Sequence, residues 1–282
     1  MSAMRMLVTG AAGLLGAEVV AAAGGHDVVA LARADLDVTD AAAVRAAVRD
    51  ARPDAVVNCA AWTDVDGAEA AEDAATAVNG DGAGHVAAAA AEAGAHVVHL
   101  STDYVFPGDA TEPYREDDPT GPRSAYGRSK LAGERAVADA APDAHGIVRS
   151  AWLFGRHGRN FVDTMLALAQ DRAELKVVDD QLGCPTYAGH LARALVEIAE
   201  ARTQGVLHVA GGGACTWFDL ARATFERTGL DVAVHPCTTA EFPRPAPRPA
   251  YSVLGSTRRD APVLPPWQEG LAAHLAAREV LT

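Results

Sequence analysis

The chain has 282 residues, 49% apolar and 22% charged, which excludes wholesale disorder and suits one large α/β domain or two modest ones. Twenty-four basic against 37 acidic side chains leave a formal net charge of −13, an unfavourable surface for a nucleic-acid backbone or an anionic membrane. Cys59, Cys184, Cys215 and Cys237 are scattered, with no CxxC pair and no histidine cluster at metal spacing, as expected of reduced thiols in a cytoplasmic protein.

The pattern is predicted to begin with a strand over Arg5–Thr9 and a helix over Leu14–Ala23. The apolar stretch Met6–Gly25 resembles a signal peptide, but its Thr9, Glu18 and five glycines argue for a buried strand followed by a helix. A strand over Asp27–Leu31 comes next, then a helix capped by Asp40 and running through Ala51. Strands over Ala55–Asn58, His96–Leu100 and Gly146–Arg149 alternate with helices over Asn79–Ala93 and Ser124–Ala140. Buried-type strands separated by helices imply a doubly wound parallel sheet of Rossmann type. From Trp152 the rhythm loosens. Helices are expected over Phe161–Gln170, Tyr187–Glu200 and Trp217–Thr228, with strands over Leu175–Val178 and Val206–Val209. Pro243, Pro245, Pro247 and Pro249 mark an extended, rigid surface linker before a last helix over Trp267–Arg278. Residues 1–150 thus read as a dinucleotide-binding domain. Residues 151–282 read mainly as a smaller substrate-binding lobe, with some segments returning to the first domain.

Gly10, Gly13 and Gly16 follow the first strand and open the first helix. The first glycine permits a tight turn, the second a close approach to a pyrophosphate, the third close packing of helix on strand. The helix N-terminus supplies free N–H groups for phosphate. Arg33 stands at the tip of the second strand, where an acidic residue would hold a ribose 2′-hydroxyl, and so favours NADPH, with NADH as the alternative. Asp37 and Val38 are expected to flank the adenine. Ala60 and Ala61 leave room for a cofactor at the end of the third strand.

Tyr126 and Lys130 lie one helical turn apart and therefore on one face. A neighbouring ammonium favours the phenolate and brings a tyrosine toward the working pH range. Thr102, at a strand end, offers a hydroxyl to the substrate oxygen.

These residues sit within longer signatures. They include Arg52-Pro-Asp-Ala-Val-Val-Asn-Cys-Ala-Ala-Trp-Thr63, Ser101-Thr-Asp-Tyr-Val-Phe-Pro-Gly108, Tyr126-Gly-Arg-Ser-Lys130 and Asp180-Gln-Leu-Gly-Cys-Pro-Thr186. In these the chain resembles the extended short-chain dehydrogenase/reductases, and within them the dTDP-4-dehydrorhamnose reductase family, over nearly its whole length. It departs from the family pattern at Leu14, where a polar residue is common, and at Gly67, where lysine is common. The resemblance implies reduction of the C4 ketone of a dTDP-4-keto-6-deoxy sugar, with Tyr126 as proton donor beside Thr102 and Lys130. It implies that Leu14, Leu15 and Thr63 join the cofactor site. Tyr104 and Trp152 would line the sugar pocket, with Asn160, Gln181 and Thr186 in or near the nucleotide-sugar site and Arg248 approaching the diphosphate. Nucleotide-sugar dehydratases carry Asp-Glu after the threonine; here the pair is Asp103-Tyr104, which fits ketone reduction. The alternatives are another 4-keto deoxysugar nucleotide, such as one on a dihydrostreptose-type route, and a non-catalytic subunit like the regulatory partner of methionine adenosyltransferase. A nucleotide sugar is the expected partner, with no nucleic acid or membrane, and a monomer or homodimer. The resemblance implies a magnesium at a dimer contact in some members, held by acidic residues; Glu18 fits one such position, but His190 stands where its acidic neighbour would be, so no metal is expected.

Overall fold

The computed structural model describes residues 3–279. Its centre is a six-stranded parallel sheet, built from β1 (Arg5–Thr9), β2 (Asp27–Leu31), β3 (Ala55–Asn58), β4 (His96–Thr102), β5 (His145–Ser150) and β10 (Gly205–His208). Their order is β10-β5-β4-β3-β1-β2, so the winding direction reverses between β1 and β3. That reversal opens a crevice at the carboxyl ends of those two strands. The expected doubly wound fold is therefore observed.

Alternation along each strand feeds two cores. Met6 and Val8 of β1 face α1 (Leu14–Ala22) and α8 (Ala188–Ala201), joining Val19, Leu191 and Leu195. Leu7 faces the other way, toward α2 (Ala41–Ala51) and α5 (Gly82–Glu92), with Val44, Val48 and Val86. Asp40 caps α2 as expected, its carboxylate accepting from the Ala42 and Ala43 amides. The second half of the chain contributes β10 and α8 to this sheet layer. The rest carries three two-stranded ribbons: β6 (Leu153–Phe154) with β9 (Thr186–Tyr187), β7 (Glu174–Val178) with β12 (Ala233–Cys237), and β8 (Leu182–Gly183) with β11 (Cys215–Thr216). Packed with them are α7 (Phe161–Leu168), α9 (Trp217–Thr228) and α10 (Trp267–Glu279).

Three local expectations change. Two short helices, α3 (Val65–Ala70) and α4 (Glu72–Thr76), occupy a stretch with no sequence periodicity to reveal them. The helix expected over Asn79–Ala93 begins instead with a π-helical turn over Ala77–Asp81. That turn buries Asn79 so that its side chain meets the Trp62 amide and carbonyl and Ser129 Oγ. The Pro/Arg run is no free linker. Ala246 is buried, and its amide donates to Asp66 on α3.

α6 (Ala125–Ala140) is fastened to the sheet by a buried ion pair, with Arg149 of β5 donating to both oxygens of Glu134 at 2.9 and 2.7 Å. Ser101 of β4 donates to the same carboxylate at 2.6 Å. Removing one partner strands the other charge away from water. Glu134→Ala should therefore cost about 3–5 kcal/mol of stability in denaturant unfolding, several times the ~1 kcal/mol expected for the exposed cap variant Asp40→Ala.

Candidate active site

The glycine loop forms one wall of the switch-point crevice. Gly10 has φ +64°, and a Cβ there would lie 2.7 Å from the Ala60 amide nitrogen. A Cβ on Gly16 would lie 2.2 Å from the Gly10 carbonyl oxygen, so loop and helix touch backbone to backbone. Gly13 caps α1 with no side-chain acceptor, which leaves the first amides of the helix turned outward, Leu14 and Leu15 among them. This is the open, donor-rich cradle that a pyrophosphate requires. The Leu15 side chain is buried in the core, whereas Leu14 is half-buried under the loop at Gly155 and Gly158. Arg156 of that loop pairs with the buried Glu18 on α1 at 2.9 Å.

Arg33 is exposed beyond the end of β2. Asp37, also exposed, accepts from the Thr39 amide and hydroxyl, which with the nearby Arg33 charge holds its carboxyl below the usual range. Val38 turns its side chain inward against Gly82, so the expected apolar contact with an adenine has only its surroundings to offer. Ala60 and Ala61 are half-buried just past β3, and Thr63 is exposed next to them.

Facing this loop across the crevice are the end of β4 and the start of α6. Ser124 caps α6 by accepting from the Gly127 amide. A Cβ on Gly127 would lie 2.3 Å from the Tyr104 carbonyl oxygen, so the helix begins pressed against the turn that follows β4. Tyr126 packs edge-to-face on Tyr104, with ring centroids 5.6 Å apart. Thr102, at the end of β4, donates to Asp103 Oδ1 at 2.9 Å. Burial and the Asp103 charge push the Tyr126 phenol up to about 12, against a smaller opposing pull from Thr102. It therefore carries its proton at neutral pH.

Lys130 makes no hydrogen bond to Tyr126 among the described residues. Its side chain is buried and reaches back to β4, where Nζ donates to the Leu100 carbonyl at 2.6 Å and lies 3.5 Å from His99 Nε2. Burial lowers the amine to about 8, despite the Glu134 and Cys59 charges that oppose the shift.

The remaining expected residues divide into three groups. Tyr104 and Arg248 share a cavity of about 160 Å³ with Phe106, Arg123 and Ser124. Arg248 binds Asp66 Oδ1 at 3.1 Å, Arg244 binds Asp66 Oδ2 at 3.1 Å, and Arg248 Nη1 is buried without a partner among the described residues. Trp152 has φ +49° and stacks on Trp217 with ring centroids 3.5 Å apart. Gln181 accepts from the Trp217 indole N–H at 3.0 Å and donates to Thr239. Asn160 and Thr186 are committed internally. Asn160 caps α7 and donates to the Gly155 carbonyl and to Asp163, while Thr186 donates to the Cys184 carbonyl and accepts from the Gly211 amide. These bonds leave both residues holding loops together. A concavity of about 510 Å³ along α7 contains Asn160 but none of the other expected site residues.

Three residues of the site escape sequence reasoning: Asp66, Asp103 and Trp217. Asp103 is buried beside Tyr126, its carboxyl raised to about 6 by burial. Only the placement of Asp103 next to Thr102 offers a signal. Trp217 lies 65 positions from the Trp152 it stacks on, and nothing local marks it.

A family model described as the RmlD substrate binding domain matches residues 4–280. The chain belongs to this family. It is 49% identical over 277 residues to a dTDP-4-dehydrorhamnose reductase of Streptomyces griseus, spanning 95% of this chain and 91% of the relative. Over 254 residues it is also 49% identical to a dTDP-4-keto-6-deoxy-D-glucose reductase of Streptomyces niveus, spanning 89% and 88%. The crystal structure of dTDP-4-dehydrorhamnose reductase from Bacillus anthracis in complex with NADP superimposes with a TM-score of 0.95. That protein is 37% identical, and the match covers 98% of this chain and all of the other. No helix among the described residues is long and apolar enough to cross a membrane.

The chain holds only two lysines, Lys130 and the exposed Lys176, so their 13Cε resonances are separable. The Lys130 signal should titrate near pH 8, with the ammonium present below that pH and lost above it. A midpoint near the ordinary ~10.4 would contradict the buried placement.

Proposed function

We propose that the protein is an NADPH-dependent reductase of the C4 ketone of a dTDP-4-keto-6-deoxy sugar, converting dTDP-4-dehydro-L-rhamnose to dTDP-L-rhamnose. The observation that carries this reading is the placement of Thr102 at the end of β4 and of Tyr126 and Lys130 one turn apart on α6, beside the open Gly10–Gly16 cradle, in a chain of this family.

The amides at the start of α1 would hold the pyrophosphate, and Arg33 the 2′-phosphate. When bound, the nicotinamide cofactor supplies a hydride for C4. Tyr126, a phenol at working pH, donates its proton to the ketone oxygen, while Thr102 steadies that oxygen by a hydrogen bond. Lys130 lends positive charge while it is protonated, so reduction should weaken as pH rises through about 8. On the substrate side, Tyr104 and Trp152 line the sugar pocket. Arg248, which keeps one buried guanidinium nitrogen unpartnered, reaches the diphosphate. A second reading, another 4-keto deoxysugar nucleotide, draws on the equal identity to the Streptomyces niveus reductase.

The deciding assay is NADPH absorbance decay with dTDP-4-dehydro-L-rhamnose made by the upstream dehydratase and epimerase, run beside a dehydratase-only control. Oxidation only with the epimerase present supports the rhamnose reading. Oxidation in both moves the assignment to a different or broader ketoreductase, and oxidation in neither refutes it. Tyr126→Phe should lose about 10²- to 10⁴-fold in kcat with cofactor binding retained.

Arg33→Ala tests the cofactor choice separately. NADPH binding should weaken about 10-fold or more, the scale of one lost charge-assisted hydrogen bond, with NADH little changed. Equal losses for the two would remove Arg33 from the phosphate site.

A further inference from the structure

Three neighbouring strands carry a buried polar residue at one level of the sheet. Thr9, Asn58 and His99 are register partners across β1, β3 and β4. They are bonded in series: Thr9 Oγ1 donates to Asn58 Oδ1 at 2.6 Å, and Asn58 Nδ2 lies 3.1 Å from His99 Nδ1. His99 Nε2 then faces Lys130 Nζ at 3.5 Å. Parallel strands covered on both faces are ordinarily apolar at such positions, and a buried amide and imidazole are costly unless they are bonded. The reaction described above uses none of the three.

The direction of the row follows from one fixed donor. The Ala60 amide lies 3.3 Å from Asn58 Oδ1 and can only donate, so the Asn58 oxygen faces it and the NH₂ faces His99. His99 Nδ1 is therefore an acceptor. Burial, reinforced by the Lys130 charge, keeps the ring neutral, and a neutral ring accepting at Nδ1 carries its proton on Nε2. That N–H meets Lys130 Nζ, which already donates to the Leu100 carbonyl. An ammonium has only donors to set against an N–H, whereas a neutral amine has a lone pair.

We propose that Thr9, Asn58 and His99 are positioning residues for Lys130, a row that fixes His99 as the Nε2–H tautomer and sets that N–H against the lysine amine. This rests on the reading that Lys130 serves ketone reduction. The row makes the sheet, in addition to burial, a determinant of when Lys130 gives up its charge. The other groups around the amine are few. Glu134 is on its own helix and shared with Arg149 of β5, Cys59 follows β3, and Tyr126 lies one turn earlier. Of the acidic residues on α3 and α4, Glu69 accepts from the Ala125 amide and Glu72 binds Arg128.

The test reads the tautomer and the lysine directly in the full-length protein. With 15N-labelled histidine, the His99 resonances, assigned by their absence from His99→Gln, should show a protonated Nε2 and a pyridine-like Nδ1 at neutral pH. The opposite pattern overturns the proposal. Asn58→Asp is nearly isosteric and turns the partner of Nδ1 into a carboxylate. It should move the ring proton to Nδ1, present the Nε2 lone pair to Lys130, and raise the Lys130 13Cε midpoint by about one pH unit or more. An unmoved midpoint in folded Asn58→Asp also overturns the proposal; should that variant not fold, the wild-type tautomer decides alone. NADPH oxidation is read separately. The expected tautomer and lysine shift without ketone reduction would uphold the row and refute the reductase reading.

Discussion

The pair between Glu134 and Arg149 sets where α6 lies on the sheet, and the chemistry of the crevice depends on that placement. Two arginine nitrogens and the Ser101 hydroxyl converge on one buried carboxylate, so the helix cannot slide along β4 and β5 without breaking three bonds away from water. One turn nearer its N-terminus, Lys130 is tied to the Leu100 carbonyl. A further turn back, Tyr126 packs edge-to-face on Tyr104, just past the end of β4. A change of helix register by one residue would rotate Tyr126 about 100° away from the crevice.

The opposite wall is made of backbone. Gly10 lets the loop after β1 approach the residues just past β3, Gly16 lets α1 approach that loop, both at distances no side chain permits, and Gly13 leaves the helix end open. Between the walls the titratable groups are pushed apart by a common cause. Burial raises the Tyr126 phenol and lowers the Lys130 amine, so near neutral pH one side offers a proton and the other is close to losing its charge. The second half of the chain closes the site from above. Arg244 and Arg248, both on the proline-rich run, grip Asp66, and the Trp152–Trp217 stack holds Trp152 in a left-handed conformation that a bulky residue rarely adopts.

Much of this was legible locally. The strand, glycine-loop and helix sequence at the start of the chain has a fixed physical meaning. The caps at Asp40 and Ser124 announce their helices, and the α9 boundaries at Trp217 and Thr228 match the pattern residue for residue. The misses have a common character. α3 and α4 are too short to show periodicity. The π-helical turn at Asn79 exists because Trp62 and Ser129 wait for its amide. Apart from these misses, Asn160 and Thr186, expected in or near the nucleotide-sugar site, also bond to neighbouring loops, which no local pattern announces.

Local pattern alone specifies the doubly wound sheet, the cradle at Gly10–Gly16 and the pairing of Tyr126 with Lys130 on one helix. Each of these rests on local rules of periodicity, φ preference and helical spacing. Assembly of the fold is what sets the partners of Lys130, the residue that shares a carboxylate with Arg248, and the row of Thr9, Asn58 and His99. Those outcomes depend on strand order and register, which bring together residues 41 to 49 positions apart in the row and about 180 apart at Asp66. No local pattern encodes a hydrogen bond across that separation; it exists only once the sheet is assembled.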